Sequence, residues 1–272
     1  MIIVSYLALG AIAGLLAGLF GIGGGLVIVP VLVWSLTAQG ASPEVVMHMA
    51  VGTSLASILF TSITSIRTHH LKGAVPWPVV MRMGSGILVG SSLGALTAAA
   101  ISGDNLQTIV GAFAVVMAIQ MGTGWQPGRR SAAPAETGPS APMTSRETLV
   151  LGSGGAVIGW ASAIFGIGGG SLVVPWLSWR GTAMRHAVGI AAACGFPIAV
   201  AGTLTFIWTG SQVADLPPYS LGYIYLPALL GIVLTSVWFA RLGALLAHRL
   251  PAVMLRRSFA LLLAAVGLHF LL

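Results

Sequence analysis

Stretches of eighteen or more mostly apolar and small residues recur along the whole chain, at 2–20, 44–66, 79–101, 105–124, 148–165, 186–208, 219–240 and 252–272. Nineteen helical residues reach about 28 Å, close to the thickness of a bilayer core. Only twelve basic and five acidic residues are present, 6% of the chain, against about 25% in an average soluble domain. That is too little polar surface to coat a water-soluble globule, so lipid must be part of the solvent. The expected fold is an all-α polytopic membrane protein with about eight full spans. Two shorter apolar stretches, 25–37 and 170–179, each follow directly after a glycine cluster. Neither is long enough to cross alone, which marks both as re-entrant or broken segments.

The same residues exclude several classes of function. No Lys or Arg precedes the first apolar run, so no cleavable secretory signal is read. The single cysteine, Cys194, rules out an internal disulfide or a cysteine-based zinc site. No His/Glu cluster has metal-ligand spacing, so neither a metal nor a cofactor is expected. No span carries two acidic residues, and intramembrane hydrolysis needs a carboxylate pair or a nucleophile with its base. The chain therefore reads as a non-enzyme. Its net charge of +7 comes from basic residues set between hydrophobic runs, which points to orientation in a bilayer and not to nucleic acid.

Residues 125–147, WQPGRRSAAPAETGPSAPMTSRE, form a proline-rich, charged linker between two nearly equal halves, 1–124 and 148–272. Those halves repeat one another. Phe20-Gly21-Ile22-Gly23-Gly24-Gly25 returns as Phe165-Gly166-Ile167-Gly168-Gly169-Gly170, and with Val29-Pro30 and Val174-Pro175 the match reaches 8 of 11 positions at an offset of 145. Ala50-Val51-Gly52 matches Ala187-Val188-Gly189 at an offset of 137, and Phe113 and Phe259 fall in equivalent segments. Ordered landmarks of this kind indicate an internal duplication of about five segments per half.

Charge then orders the topology. If each glycine cluster turns the chain back as a hairpin, all twelve basic residues gather on one face, and Glu44, Asp104 and Asp215 lie on the other. If each cluster sits inside a continuous crossing, the basic residues divide six and six. The positive-inside rule selects the hairpin arrangement, with both termini outside, the linker cytoplasmic and the halves inverted.

Glycine inside a helix costs roughly 1 kcal/mol relative to alanine. Irregular backbone at membrane depth is tolerated where it is buried in protein or lines a wet cavity. The short segment after each cluster begins a helix whose first N–H groups lack partners and whose dipole is positive there, a combination that favours an anion. Pro30 and Pro175 are expected near those helix starts. The alternative is that the glycines only permit tight helix crossing. Two copies at symmetric places favour the binding reading, because broken helices meeting near the midplane are a transporter device.

The paired FGIGGG-x4-P segments, the Ala-Val-Gly run after the first, the basic loop between the next two helices and the central linker resemble the sulfite exporter TauE/SafE family, over nearly the whole chain. That resemblance implies a polytopic permease of the plasma (inner) membrane moving sulfite, organosulfonates or similar small sulfur-containing anions, often outward. The expected substrate ligands are Gly21, Gly23, Gly24, Gly25, Gly166, Gly168, Gly169 and Gly170. Thr53, Ser54 and Ser57 would add hydroxyls, or instead back-bond to helix carbonyls. Ile190-Ala191-Ala192-Ala193 replaces the Thr53-Ser54 polar pair in the second half.

His48 and Glu44, four residues apart, are candidates for proton coupling or gating, or else decorate an interfacial helix end. Arg241 would draw an anion inward, or snorkel to headgroups. Alternating access by rocking of one half against the other is expected. The remaining alternatives are an anion channel and a membrane scaffold or sensor working through its linker. The expected partners are thus a small anion and the lipid bilayer; glycine-rich lipid-facing helices would also allow a homodimer without demanding one.

Overall fold

A computed structural model describes the backbone of residues 6–8, 10–15, 25–123, 144–214, 216–247 and 252–272, and their side chains except at 240–241, 243–247, 252–256 and 259. The described chain is helical apart from one small hairpin. The helices are α1 (Tyr6–Leu15), α2 (Gly25–Ala38), α3 (Pro43–Leu71), α4 (Trp77–Ala100), α5 (Gly103–Thr123), α6 (Ser145–Phe165), α7 (Gly170–Trp179), α8 (Met184–Gly210), α9 (Leu226–Ala247) and α10 (Ala252–Leu271). Helix is the form in which apolar segments satisfy every backbone group without water. Five of them, α3, α4, α5, α6 and α8, are long and apolar enough to cross a membrane by length and composition.

The short stretches 25–37 and 170–179 are indeed short helices, α2 and α7. Two details differ from expectation. Residues 219–225 do not begin a span: Ser220–Leu221 (β1) pairs antiparallel with Ile224–Tyr225 (β2), and α9 starts only at Leu226. Tyr219 with φ 67° and Gly222 with φ 54° make the corners that turn the chain there. Pro30 and Pro175 lie inside α2 and α7, each at the sixth helical position. Each withholds one backbone N–H from the turn before it.

The core sits between α3 and α8. About 61% of the apolar window of each is buried, against 33–39% for α4, α5 and α6. They run antiparallel: a Cβ on Gly202 would meet Leu55, one on Gly52 would meet Phe206, and one on Gly195 would meet Ser62. Packed around them, α4 pairs with α6, α5 with α10, α2 with α3 and α7 with α8.

The α4–α6 pair is parallel and depends on glycine. A Cβ on Gly86, Gly90 or Gly94 would lie 1.9, 2.0 or 2.2 Å from the carbonyl oxygens of Gly152, Ala156 and Trp160. In return, a Cβ on Gly155 would fall 2.4 Å from the Met83 carbonyl and one on Gly159 would fall 2.6 Å from that of Ile87. Only hydrogen fits in this seam, as small-residue membrane interfaces require. Along α1 and α9 the register also runs parallel, Gly10 opposing Thr235 and Gly14 opposing Ser236. The α5–α10 pair is antiparallel, with Gly111 against Phe270 and Gly122 against Ala260.

Polar residues divide between the two ends. Arg67, Lys72, Arg82, Arg146, Arg180, Arg185 and Arg257 share the end where α3 stops and α4 and α6 start. There the Arg185 guanidinium donates to the Lys72 carbonyl, Arg180 lies 5.2 Å over the Trp176 ring, and Thr144 and Glu147 close a capping box on α6. Glu44 and Asp104 open α3 and α5 at the opposite end.

Candidate functional site

The second glycine cluster is a helix stop followed by a helix start. At the end of α6, Gly166 adopts the left-handed conformation (φ 65°, ψ 31°), and the Gly166 and Ile167 N–H groups both donate to the Ser162 carbonyl. A left-handed cap of this kind suits glycine because a side chain would clash with its own backbone. Phe165, just before it, stacks on Phe113 with ring centroids 3.8 Å apart. The chain then passes through the core at Ile167 and re-enters helix at Gly170.

Neighbouring elements press closely on this crossing. A Cβ on Gly166 would lie 2.9 Å from Val29 on α2 and 3.1 Å from the Val51 Cα on α3, and one on Gly169 would lie 2.8 Å from the Ala191 carbonyl of α8. Gly25, the last glycine of the first cluster, comes to the same place: its Cβ would sit 2.4 Å from the Gly166 carbonyl oxygen and 2.9 Å from the Ile167 Cα. The two clusters thus touch, backbone to backbone, beside α3 and α8. Gly21, Gly23 and Gly24 lie outside the described residues, and so does the side chain of Arg241, whose backbone belongs to α9.

The start of α7 carries free donors. The Val173 N–H closes the first helical turn on the Gly169 carbonyl at 2.8 Å. The N–H groups of Gly168, Gly169, Gly170, Ser171 and Leu172 make no hydrogen bond among the described residues. The helix dipole adds partial positive charge at that same point.

The hydroxyls singled out in α3 are fully buried, and all are engaged. Ser54 Oγ donates to the Gly166 carbonyl at 2.8 Å. Ser57 Oγ donates back to the Ser54 carbonyl at 2.7 Å. Thr53 Oγ1 accepts the Tyr225 N–H at 2.9 Å, tying α3 to the hairpin. Beneath that hairpin, Gly52 leaves room for Tyr223 and Ile224, as Gly189 on α8 leaves room for Ala74 in the α3–α4 turn.

His48 is 4% exposed. Its Nδ1 faces the Glu44 carbonyl at 3.0 Å, and its Nε2 faces the carbonyls of Ala98 and Ile101 at 3.1 and 3.0 Å. The ring stacks on Tyr223 with centroids 5.1 Å apart. It fastens the α4–α5 corner to α3, while the Glu44 side chain stays at the exposed start of α3.

The sequence reading missed a polar group at the acidic end. A cavity of about 790 Å³ opens there, lined by Leu36, Gln39, Ser42, Leu216, Pro218 and Tyr225 among others. Gln39 Nε2 donates to the Tyr6 hydroxyl and to the Ser35 carbonyl, and the Tyr225 hydroxyl donates to Gln39 Oε1 at 3.3 Å. Burial pushes the Tyr225 phenol above its ordinary range, and Tyr6 beside it pushes the same way. Residues 6, 39 and 225 lie too far apart in the chain for any motif to join them.

A protein-family model described as sulfite exporter TauE/SafE matches residues 6–270. A probable membrane transporter protein of Haemophilus influenzae is 37% identical over 268 residues, covering 98% of this chain and 97% of its own. One of Methanocaldococcus jannaschii is 28% identical over 264 residues, covering 97% and 93%. A third, from Bacillus subtilis, is 31% identical over 186 residues, 64% of this chain and 67% of its own. No solved structure matches.

Proposed function

The chain belongs to the sulfite exporter TauE/SafE family, and from that premise we propose that this multi-pass membrane transporter exports sulfite or a related small organosulfonate anion by alternating access. The observation that carries the proposal is the contact of Gly25 with Gly166 and Ile167. It joins the two glycine clusters at one point beside α3 and α8, the most buried of the membrane-length helices, where irregular backbone and a helix start offer donors to an oxyanion.

An inverted duplication is supported by the way contacts exchange between halves. Matching α1–α5 with α6–α10 turns the α4–α6 pair into α9–α1, α4–α8 into α9–α3, and α2–α3 into α7–α8, and each of these pairs is in contact. The helices matched with themselves, α3–α8 and α5–α10, run antiparallel, as an axis in the membrane plane requires. The basic end is then cytoplasmic, with the 125–147 linker, and the termini lie outside.

Because the extensive pairings cross between halves, the moving bodies of the cycle are mixed bundles, α4 with α6 and α9 with α1, and not the two sequence halves. A cell interior negative by 100 mV drives each departing negative charge by about 2.3 kcal/mol. That sustains roughly a fiftyfold gradient without a coupled ion. In proteoliposomes, labelled sulfite flux should saturate, show counterflow and follow an imposed potential. Flux that never saturates would make the protein a channel, and flux that ignores the potential but follows a pH gradient would overturn electrogenic export. Loss of function on deleting 125–147, with flux absent throughout, would favour the scaffold reading.

A further inference from the structure

We propose that the anion is held at the start of α7, and that this place selects singly charged oxyanions such as a sulfonate or hydrogensulfite over dianions. The inference rests on the transport reading and adds the ligand set and its charge preference. Ser171 is the second residue of α7, is 6% exposed, and its Oγ has no hydrogen-bond partner. A buried hydroxyl without a partner is costly. It lies in the same turn as the free N–H groups of Gly168 to Leu172. Five amide donors and a hydroxyl, with the positive end of a helix dipole behind them, make a cradle suited to an oxyanion.

α8 packs against the cradle through glycine. A Cβ on Gly195 would lie 3.9 Å from the Gly169 nitrogen and 3.9 Å from the Ser62 Cβ, so a side chain there would occupy the place beside the Gly169 N–H. Ser62 donates its own proton to the Leu59 carbonyl at 3.0 Å and is 5% exposed.

The charge preference follows from what surrounds the cradle. The described Lys and Arg side chains lie at the basic end of the bundle, so among the described residues the start of α7 is served by dipoles and not by a full positive charge. Fixed dipoles compensate about half an elementary charge per helix end, and a dianion buried without a cation is penalised far more heavily than a monoanion. The hydroxyl has no counterpart at the start of α2, where Leu26 stands in place of Ser171.

The test uses the purified full chain in detergent, with methanesulfonate as the monoanion probe and sulfate as the dianion probe at matched ionic strength. Methanesulfonate should raise the melting temperature and sulfate should not. Ser171→Ala and Gly195→Ala should each weaken methanesulfonate binding at least tenfold. The unliganded melting temperature should be unchanged or higher for both, since S171A removes an unpaired buried hydroxyl and the methyl added in G195A meets only ordinary contacts. Leu26→Ser, which removes a buried leucine from the core, should lower the melting temperature and leave methanesulfonate affinity unchanged. Equal binding of sulfate, or normal methanesulfonate affinity in both S171A and G195A, overturns the proposal. If the unaltered protein binds methanesulfonate and both variants bind it equally well, only the α7 cradle fails and the transport reading survives. If the unaltered protein binds no sulfur oxyanion, both readings fail.

Discussion

The Ser54 hydroxyl reaches across 112 residues to donate to the carbonyl of Gly166, so the most buried of the membrane-length helices of the first half holds the glycine crossing of the second. Its neighbour Thr53 accepts the Tyr225 N–H. Two adjacent residues of α3 therefore connect the glycine crossing in the core with the hairpin and cavity at the acidic end.

Removing that bond leaves the Gly166 carbonyl buried and unpaired. Ser54→Ala should destabilise the protein by about 1–3 kcal/mol. Ser57→Ala, which deletes only a bond back to its own helix, should cost a few tenths. Reversible unfolding in mixed micelles compares the two, and equal losses would deny Ser54 its bridging role.

The α4–α6 seam supplies its own control. Gly90→Ala forces a Cβ to 2.0 Å from the Ala156 carbonyl oxygen, whereas Gly84 on the same helix has nothing within 4 Å. G90A should lose roughly 1–3 kcal/mol or more through overpacking, while G84A should be neutral or gain up to about 1 kcal/mol of helix propensity. Thermal unfolding of the two variants decides it.

His48 is held by backbone carbonyls of α3, α4 and the α4–α5 corner. Its replacement by alanine should lower stability by about 1–3 kcal/mol, with His48→Gln restoring part of the loss. Glu44→Gln should be silent in both stability and flux. A flux defect in H48Q at full stability would instead give the ring a role in the transport cycle.

Tyr225 provides a pH signature. Its phenol is raised by burial and then by Tyr6, so the folded state favours the protonated form. The stability it contributes is complete below the unfolded phenol value of about 10, and is lost as pH rises through the higher folded value. Melting temperature should fall less steeply above about pH 10 in Tyr225→Phe than in the unaltered protein. Identical slopes would show that the Tyr6–Gln39–Tyr225 group does not couple ionisation to folding.

Apolar periodicity and glycine placement were enough to locate α2, α7 and the long helices in the sequence, because chain length against bilayer thickness leaves few choices. The short hairpin was hidden inside the run 219–240, since Tyr223, Ile224 and Tyr225 look equally apolar as strand or helix. The glycine seam was legible as composition but not as a pairing: Gly86, Gly90 and Gly94 mark a small-residue face without naming α6 as its partner. The hydroxyls of Thr53, Ser54 and Ser57 drew notice as polar groups in an apolar span; Ser57 bonds back to its own helix, but the partners of Thr53 and Ser54 lie in distant segments. Ser171 gave no signal at all, since one serine after a glycine cluster gains meaning only from its lack of a partner.

The pairing of α4 with α6 and of α3 with α8 has a consequence for biosynthesis. A ribosome delivers α3 and α4 to the bilayer while α6 and α8 are still untranslated, so the early helices must wait in lipid with their glycine faces bare. Two separately translated fragments, cut within 125–147, would have to find each other before either reached its native shape.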